Sequence, residues 1–222
     1  MSNDDSWSQG PKPVTEPSIT TREGPAFLPA AGKDLAFVDV ETSGQNPLIH
    51  EVVQCAVVRY DPRTREVVSE TQGNLRMRHP GQAEAKALAV NGYDEGIWQF
   101  EASPRLFWLH IGEMIDDAVL VGHNVAFDKQ FIATAMGEYG VKTVVGRHSV
   151  CTMSLMWPLV ASGKIRSMSL RAACDYFAIP RRDPHDARVD AWCAFAVYCK
   201  LMEMHGFEGP KVDPVEALRA MV

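Results

Sequence analysis

Two hydrophobic periods alternate along this chain, and acids interrupt them at only a few places. From Asp34 the segment Leu-Ala-Phe-Val-Asp-Val is apolar on both faces, which predicts a central strand. Glu51–Tyr60 predicts a second strand. Residues 66–78 predict a third, with Asp61-Pro62 helping the chain to turn between them. Ala83–Val90 reads as a short helix ended by Asn91-Gly92. Ser103-Pro104 opens another that runs to about Asp117. Ala118–His123 is a short buried strand that feeds a helix over about Ala126–Met136. A strand near Arg147–Cys151 leads into a short helix interrupted by Pro158, and Ser169–Phe177 is helical. The last strong helix spans about Asp186–His205, and one small helix is expected in the final fifteen residues. Strands come first and then alternate with helices, so the fold class is α/β, a mixed sheet flanked by helices.

Residues 1–33 are rich in Pro, Ser, Thr, Gly and charge, and lack periodicity; they predict a disordered or loosely attached tail. The expected division is therefore a tail over 1–33, one folded domain over 34–206, and a short extension over 207–222. The 222 residues suffice for one sizeable core, and 46% hydrophobic with 23% charged residues is ordinary for a soluble globular protein. No apolar run approaches the roughly 20 residues that span a bilayer. The polar, acidic start is unlike a secretory signal. Five scattered cysteines form no Cys-x-x-Cys pair, which argues against a disulfide frame or a structural zinc site. A cytoplasmic location is the expectation.

The chemistry lies in acids placed where structural residues should be apolar. Asp39 and Glu41 are two apart in a predicted strand, hence on one face, about 6.6–7 Å apart along the chain. Like charges so placed raise each other's pKa unless a cation intervenes, and carboxylate oxygens suit Mg²⁺. Asp128 opens a helix whose inward stripe continues through Phe131, Ile132 and Ala135. Its bland explanation is the preference of acids for a helix's first turn. Asp190 lies mid-face among Ala187, Ala194, Val197, Tyr198 and Leu201; burial there requires a metal or a partner such as Arg188 or Arg171. His185 precedes that helix, with Asp183 and Asp186 as neighbours. Alone it would be unremarkable, but beside the acids it is a candidate general base. Several acids in one place point to a two-metal site that cuts phosphodiester bonds.

These residues fall in three ordered motifs. FVDVETSG, VGHNVAFDKQFI and HDARVDA resemble the three motifs of the DEDDh 3′–5′ exonucleases, the family of the proofreading subunit of bacterial replicative polymerase. The resemblance covers about residues 34–205 and implies a ribonuclease-H-like fold with a five-stranded mixed sheet. It implies two Mg²⁺ or Mn²⁺ ions, with Asp39 bridging both, Glu41 and Asp190 completing one, and Asp128 serving the other. It gives His185 the proton of the attacking water, with nucleoside 5′-monophosphates released from a 3′ end. Val40, Thr42 and Ser43 would cradle the terminal nucleotide, with Ser43 standing where a second Thr is common. Asn124 and Phe131 are further substrate candidates, Phe131 with core packing as its alternative. His123 is expected to be structural.

The net charge of −6 opposes a broad duplex-binding surface. Bound cations would offset it, and a narrow groove for a single-stranded nucleic-acid 3′ end fits better. A DNA exonuclease of repair or proofreading is the first expectation. An exoribonuclease differs only in its treatment of the 2′-OH. A non-catalytic single-strand binding module is the third reading, disfavoured because no ligand position is lost. A zinc hydrolase is disfavoured by the carboxylate-rich set. The short C-terminal extension offers no evident polymerase tether, which favours a stand-alone enzyme, with a homodimer as one arrangement.

Overall fold

The computed structural model describes residues 32–181 and 185–221. Five strands form one mixed sheet: β1 (Leu35–Thr42), β2 (Val52–Asp61), β3 (Glu66–Asn74), β4 (Val119–Gly122) and β5 (Ser149–Cys151), in the order β3-β2-β1-β4-β5. The strand apolar on both faces is the central one. β1 pairs antiparallel with β2 and parallel with β4, and β4 pairs parallel with β5. The β2–β3 hairpin turns through residues 62–65, where Asp61 accepts the backbone N–H of Arg63 and Arg65 takes a positive φ of 62°. The third strand stops at Asn74 rather than 78, because Glu51 captures the backbone N–H groups of Arg78 and His79 and leads the chain off the sheet.

Helices cover both faces. α1 (Ala85–Asn91) follows β3 and ends at Gly92, left-handed at φ 68°. α2 (Pro104–Ile115) starts on Ser103, whose hydroxyl accepts the Leu106 N–H. α3 (Val125–Glu138) follows β4 directly. Pro158 divides the predicted short helix into α4 (Thr152–Leu155) and α5 (Trp157–Ala161), and α6 (Leu170–Phe177) begins on Ser169. α7 (Ala187–Glu203) is capped by Asp186, and α8 (Pro214–Ala220) by Asp213.

The period-2 alternation of β1 divides the core. Leu35 and Phe37 point to the face covered by α7, where Phe37 stacks on Phe195 with ring centroids 4.3 Å apart. Ala36, Val38 and Val40 point to the opposite face, under α2 and α3. Val215 and Leu218 of α8 are buried in the first of these cores, so the end of the chain packs on α7. Among the described residues no helix is long and apolar enough to cross a membrane.

Candidate active site

The sheet's parity sends Asp39 and Glu41 to the α7 face, in line with Leu35 and Phe37, at the carboxyl end of the central strand. That end, where β1 lies between an antiparallel and a parallel neighbour, is where open α/β sheets gather ligands. Two helices start beside it, and each brings an acid as its fourth residue: Asp128 in α3 and Asp190 in α7. A helix's first turn carries unsatisfied N–H groups and the positive end of its dipole, so both acids sit where negative charge is favoured. The strand end and the helices are tied together. The Val40 N–H donates to Asp128 Oδ1 at 3.2 Å. The buried Gln54 side chain accepts the Ala187 N–H at 2.6 Å and so fixes the start of α7 against β2.

Glu41, Asp128 and Asp190 are 9%, 3% and 5% exposed, while Asp39 is half-buried. Burial pushes the Asp39 carboxyl well above the usual range, and the charges of Asp128, Asp190 and Glu41 push it further. Burial, then the neighbouring acids led by Asp190, raise Glu41 to about 8. Burial raises Asp128 to about 7, against the opposing pull of its backbone donors. Acids that remain partly protonated at neutral pH lack sufficient positive charge, and this donor set of hard oxygens suits Mg²⁺ or Mn²⁺.

Among the described residues, Asp190 is the acid of this group with a close arginine or lysine partner. Arg181 donates to both its oxygens, at 3.1 and 3.0 Å. The sequence suggested Arg188 or Arg171 instead. Both are engaged elsewhere, Arg188 with Glu70 and Arg171 with Asp175. His185, exposed and at a positive φ of 71°, places Nδ1 3.9 Å from Glu41 Oε1, and its backbone N–H donates to Asp190 Oδ2. One ligand atom each from Glu41, His185 and Asp190 lies within 4.8 Å of the others.

A cleft of about 340 Å³ opens beside this cluster, lined among others by Val40, Glu41, Thr42, Asn91, Phe127 and His185. Asn91 ties its far wall, α1, to the strand end by donating to the Thr42 carbonyl at 3.1 Å. Val40 and Thr42 line this cleft. Ser43 does not: it is 2% exposed and its hydroxyl accepts the Glu51 N–H, closing the loop after β1. For Phe131 the structure shows the core-packing alternative. It is 1% exposed within the α2–α3 core, and Phe127, one turn earlier and packed on it at 4.7 Å, presents the aromatic surface. Asn124 is exposed at the start of α3, left-handed at φ 72°, with its side chain making no capping bond. His123 joins Thr152 and the Met168 carbonyl at 2.9 and 2.8 Å, a bracing role. The sequence reading missed Phe127, Asn91 and α1's Lys86 and Val90. The AKALAV helix carried the only available signal, its position between the first and second motifs.

The sequence model of the RNase T exonuclease family matches residues 36–198, the span holding all these groups. The chain belongs to the exonuclease family. Its structure is similar to that of E. coli exonuclease I bound to a dT13 oligonucleotide, at a TM-score of 0.63 and 16% identity over 77% of this chain and 40% of that one. The zinc-bound E. coli ExoI–ssDNA complex gives 0.65 and 19%, covering 78% and 41%. Exonuclease I from Methylocaldum szegediense gives 0.63 and 18%, covering 78% and 40%. These likenesses show the fold, a ribonuclease-H-like exonuclease fold. The chain spans about two fifths of the length of these proteins. Among curated proteins no sequence matches it.

Proposed function

We propose that this member of the exonuclease family is a metal-dependent 3′–5′ exonuclease that removes nucleoside 5′-monophosphates from single-stranded 3′ ends, with DNA as the favoured substrate. The observation that carries this reading is the convergence of four acids on one strand end, three of them with carboxyls pushed up by burial and two of these, Asp39 and Glu41, pushed further by neighbouring acids. Asp39, Glu41, Asp128 and Asp190 would hold two Mg²⁺ or Mn²⁺ ions. When bound, such ions stabilise the attacking and leaving oxygens of a phosphoryl displacement.

The protein's own groups do the remaining work. The cleft beside Val40 and Thr42 holds the terminal nucleotide, and Phe127 supplies an apolar face against which it packs. His185, exposed on the cleft wall, accepts a proton from the attacking water as its oxygen bonds to phosphorus. The 3′ oxygen of the preceding nucleotide leaves and takes a proton from solvent, so the phosphate stays on the released nucleotide's 5′ carbon. DNA is favoured because the structures of similar fold were solved with single-stranded DNA. Matched 5′-labelled single-stranded DNA and RNA, digested with Mg²⁺, test the proposal. A DNA ladder shortening from the 3′ end supports it. Equal or faster shortening of RNA replaces DNA by RNA as substrate. Binding without cleavage of either would instead make the chain a single-strand binding module.

A further inference from the structure

Asp190 differs from the other three acids of the site in how fully its oxygens are used. Oδ1 accepts from Arg181 Nε, and Oδ2 accepts from Arg181 Nη2 and from the His185 backbone N–H. A carboxylate has about four acceptor positions, so these donors leave Asp190 little free capacity. Asp128 accepts from Val40, whereas among the described residues no hydrogen-bond donor reaches Asp39 or Glu41. The Arg181 side chain is itself mostly enclosed, 15% exposed against 7% for Asp190. An arginine fork is planar and permanently charged, so it engages both oxygens as one unit rather than as two separable contacts.

We propose that Arg181 is the resident counter-cation of this site: its fork occupies Asp190, and a divalent ion must displace it from at least one oxygen before using that residue. This rests on the reading of Asp190 as a metal ligand, set out above. Arg181 thereby sets the ion concentration at which the site fills and stabilises the protein when no ion is bound. It acts through Asp190 and is a positioning residue. A contact that instead persisted beside the bound ion would orient Asp190, and its removal would weaken metal binding. The two roles differ in sign.

The test is Mn²⁺ binding to the full chain without nucleic acid, by calorimetry and by electron paramagnetic resonance of free Mn²⁺, for wild type, R181Q and R181K. Melting temperatures are taken with chelator and with Mn²⁺. The proposal expects R181Q to bind Mn²⁺ about tenfold more tightly or better, which corresponds to about 1.4 kcal/mol. It also expects R181Q to melt lower than wild type in chelator and to gain more on adding Mn²⁺. R181K keeps the charge without the fork and should fall between the two; if R181Q does not fold, tighter binding by R181K supports the proposal. Unchanged or weaker binding in the folded variants, with wild type binding normally, would overturn the displacement alone. No Mn²⁺ binding by any of the proteins would overturn it together with the metal reading on which it rests.

Discussion

Raising the pH from 6.5 to 8 in the presence of a chelator should lower the melting temperature of this protein, and Glu41 shows by how much. Its carboxyl is raised from 4.5 to about 8 in the fold, chiefly by burial and then by Asp190 and other acids. Through this window the unfolded chain has lost the proton while the folded chain still holds it. The folded state therefore binds more protons, and stability falls as pH rises. The stability Glu41 retains is fully present below pH 4.5 and is lost as pH climbs through about 8. At about 1.4 kcal/mol per pH unit, the span from 6.5 to 8 removes about 2 kcal/mol. For a chain of this size that is roughly 4–8 °C. Asp128, raised to about 7, adds in the same direction. His123, whose ring is lowered by burial, acts oppositely below its usual range, which is why the window starts at 6.5. The assay is a thermal melt at pH 6.5, 7, 7.5 and 8 in chelator, repeated for Glu41→Gln and with Mn²⁺. Glu41→Gln should flatten the slope, and Mn²⁺ should do so by favouring the ionised acids. A melting temperature that held steady or rose to pH 8 in chelator would refute the electrostatic account of the site.

Other substitutions test the individual parts. Asp39→Ala and Asp190→Ala should abolish metal-dependent cleavage in a folded protein; wild-type rates in either, with native circular dichroism, would remove that residue from the metal site. His185→Ala should lower turnover by roughly 10²–10⁴-fold with Mn²⁺ binding largely kept, and a loss below tenfold at neutral pH would show that it is not the base. At Gly122 an added Cβ would lie 3.1 Å from the Val38 carbonyl and 3.3 Å from Asp128 Oδ2. Gly122→Ala should therefore weaken Mn²⁺ binding, measured by calorimetry, with unchanged affinity counting against the placement of Asp128. Phe37→Ala removes a ring stacked on Phe195 and should cost about 3–5 kcal/mol in denaturant melts; a loss under 1 kcal/mol would contradict the packing of β1 on α7.

Much of this architecture was legible because period and punctuation agree. Leu35–Val40 reads as a central strand from apolar residues on both faces, and it lies mid-sheet. Asn91-Gly92 and Ser169 mark helix ends that need only local geometry. The acids were legible for the opposite reason, since Asp39 and Asp190 break apolar faces that nothing structural requires them to break. What stayed hidden depends on tertiary placement. Arg181 is nine residues from Asp190 and off its helix, and no local pattern separates it from the other arginines, so the sequence reading named Arg188 and Arg171 instead. Phe131 and Asp128 are three apart and share a stripe, but at the helix's start that stripe meets the site and a turn later it meets the core. Ser43 lies in the motif, yet the loop closing back to Glu51 turns its hydroxyl inward. The cleft's far wall comes from α1, whose sequence carries no chemistry of its own.

The most direct test of the central claim is the identity of the product. A single-stranded oligonucleotide is incubated with Mn²⁺ and the wild-type chain, and the released nucleotides are identified by mass spectrometry beside an Asp39→Ala control. The account predicts nucleoside 5′-monophosphates from the 3′ end, absent in chelator and absent with the variant. Nucleoside 3′-monophosphates, or release that persists in chelator, would contradict it.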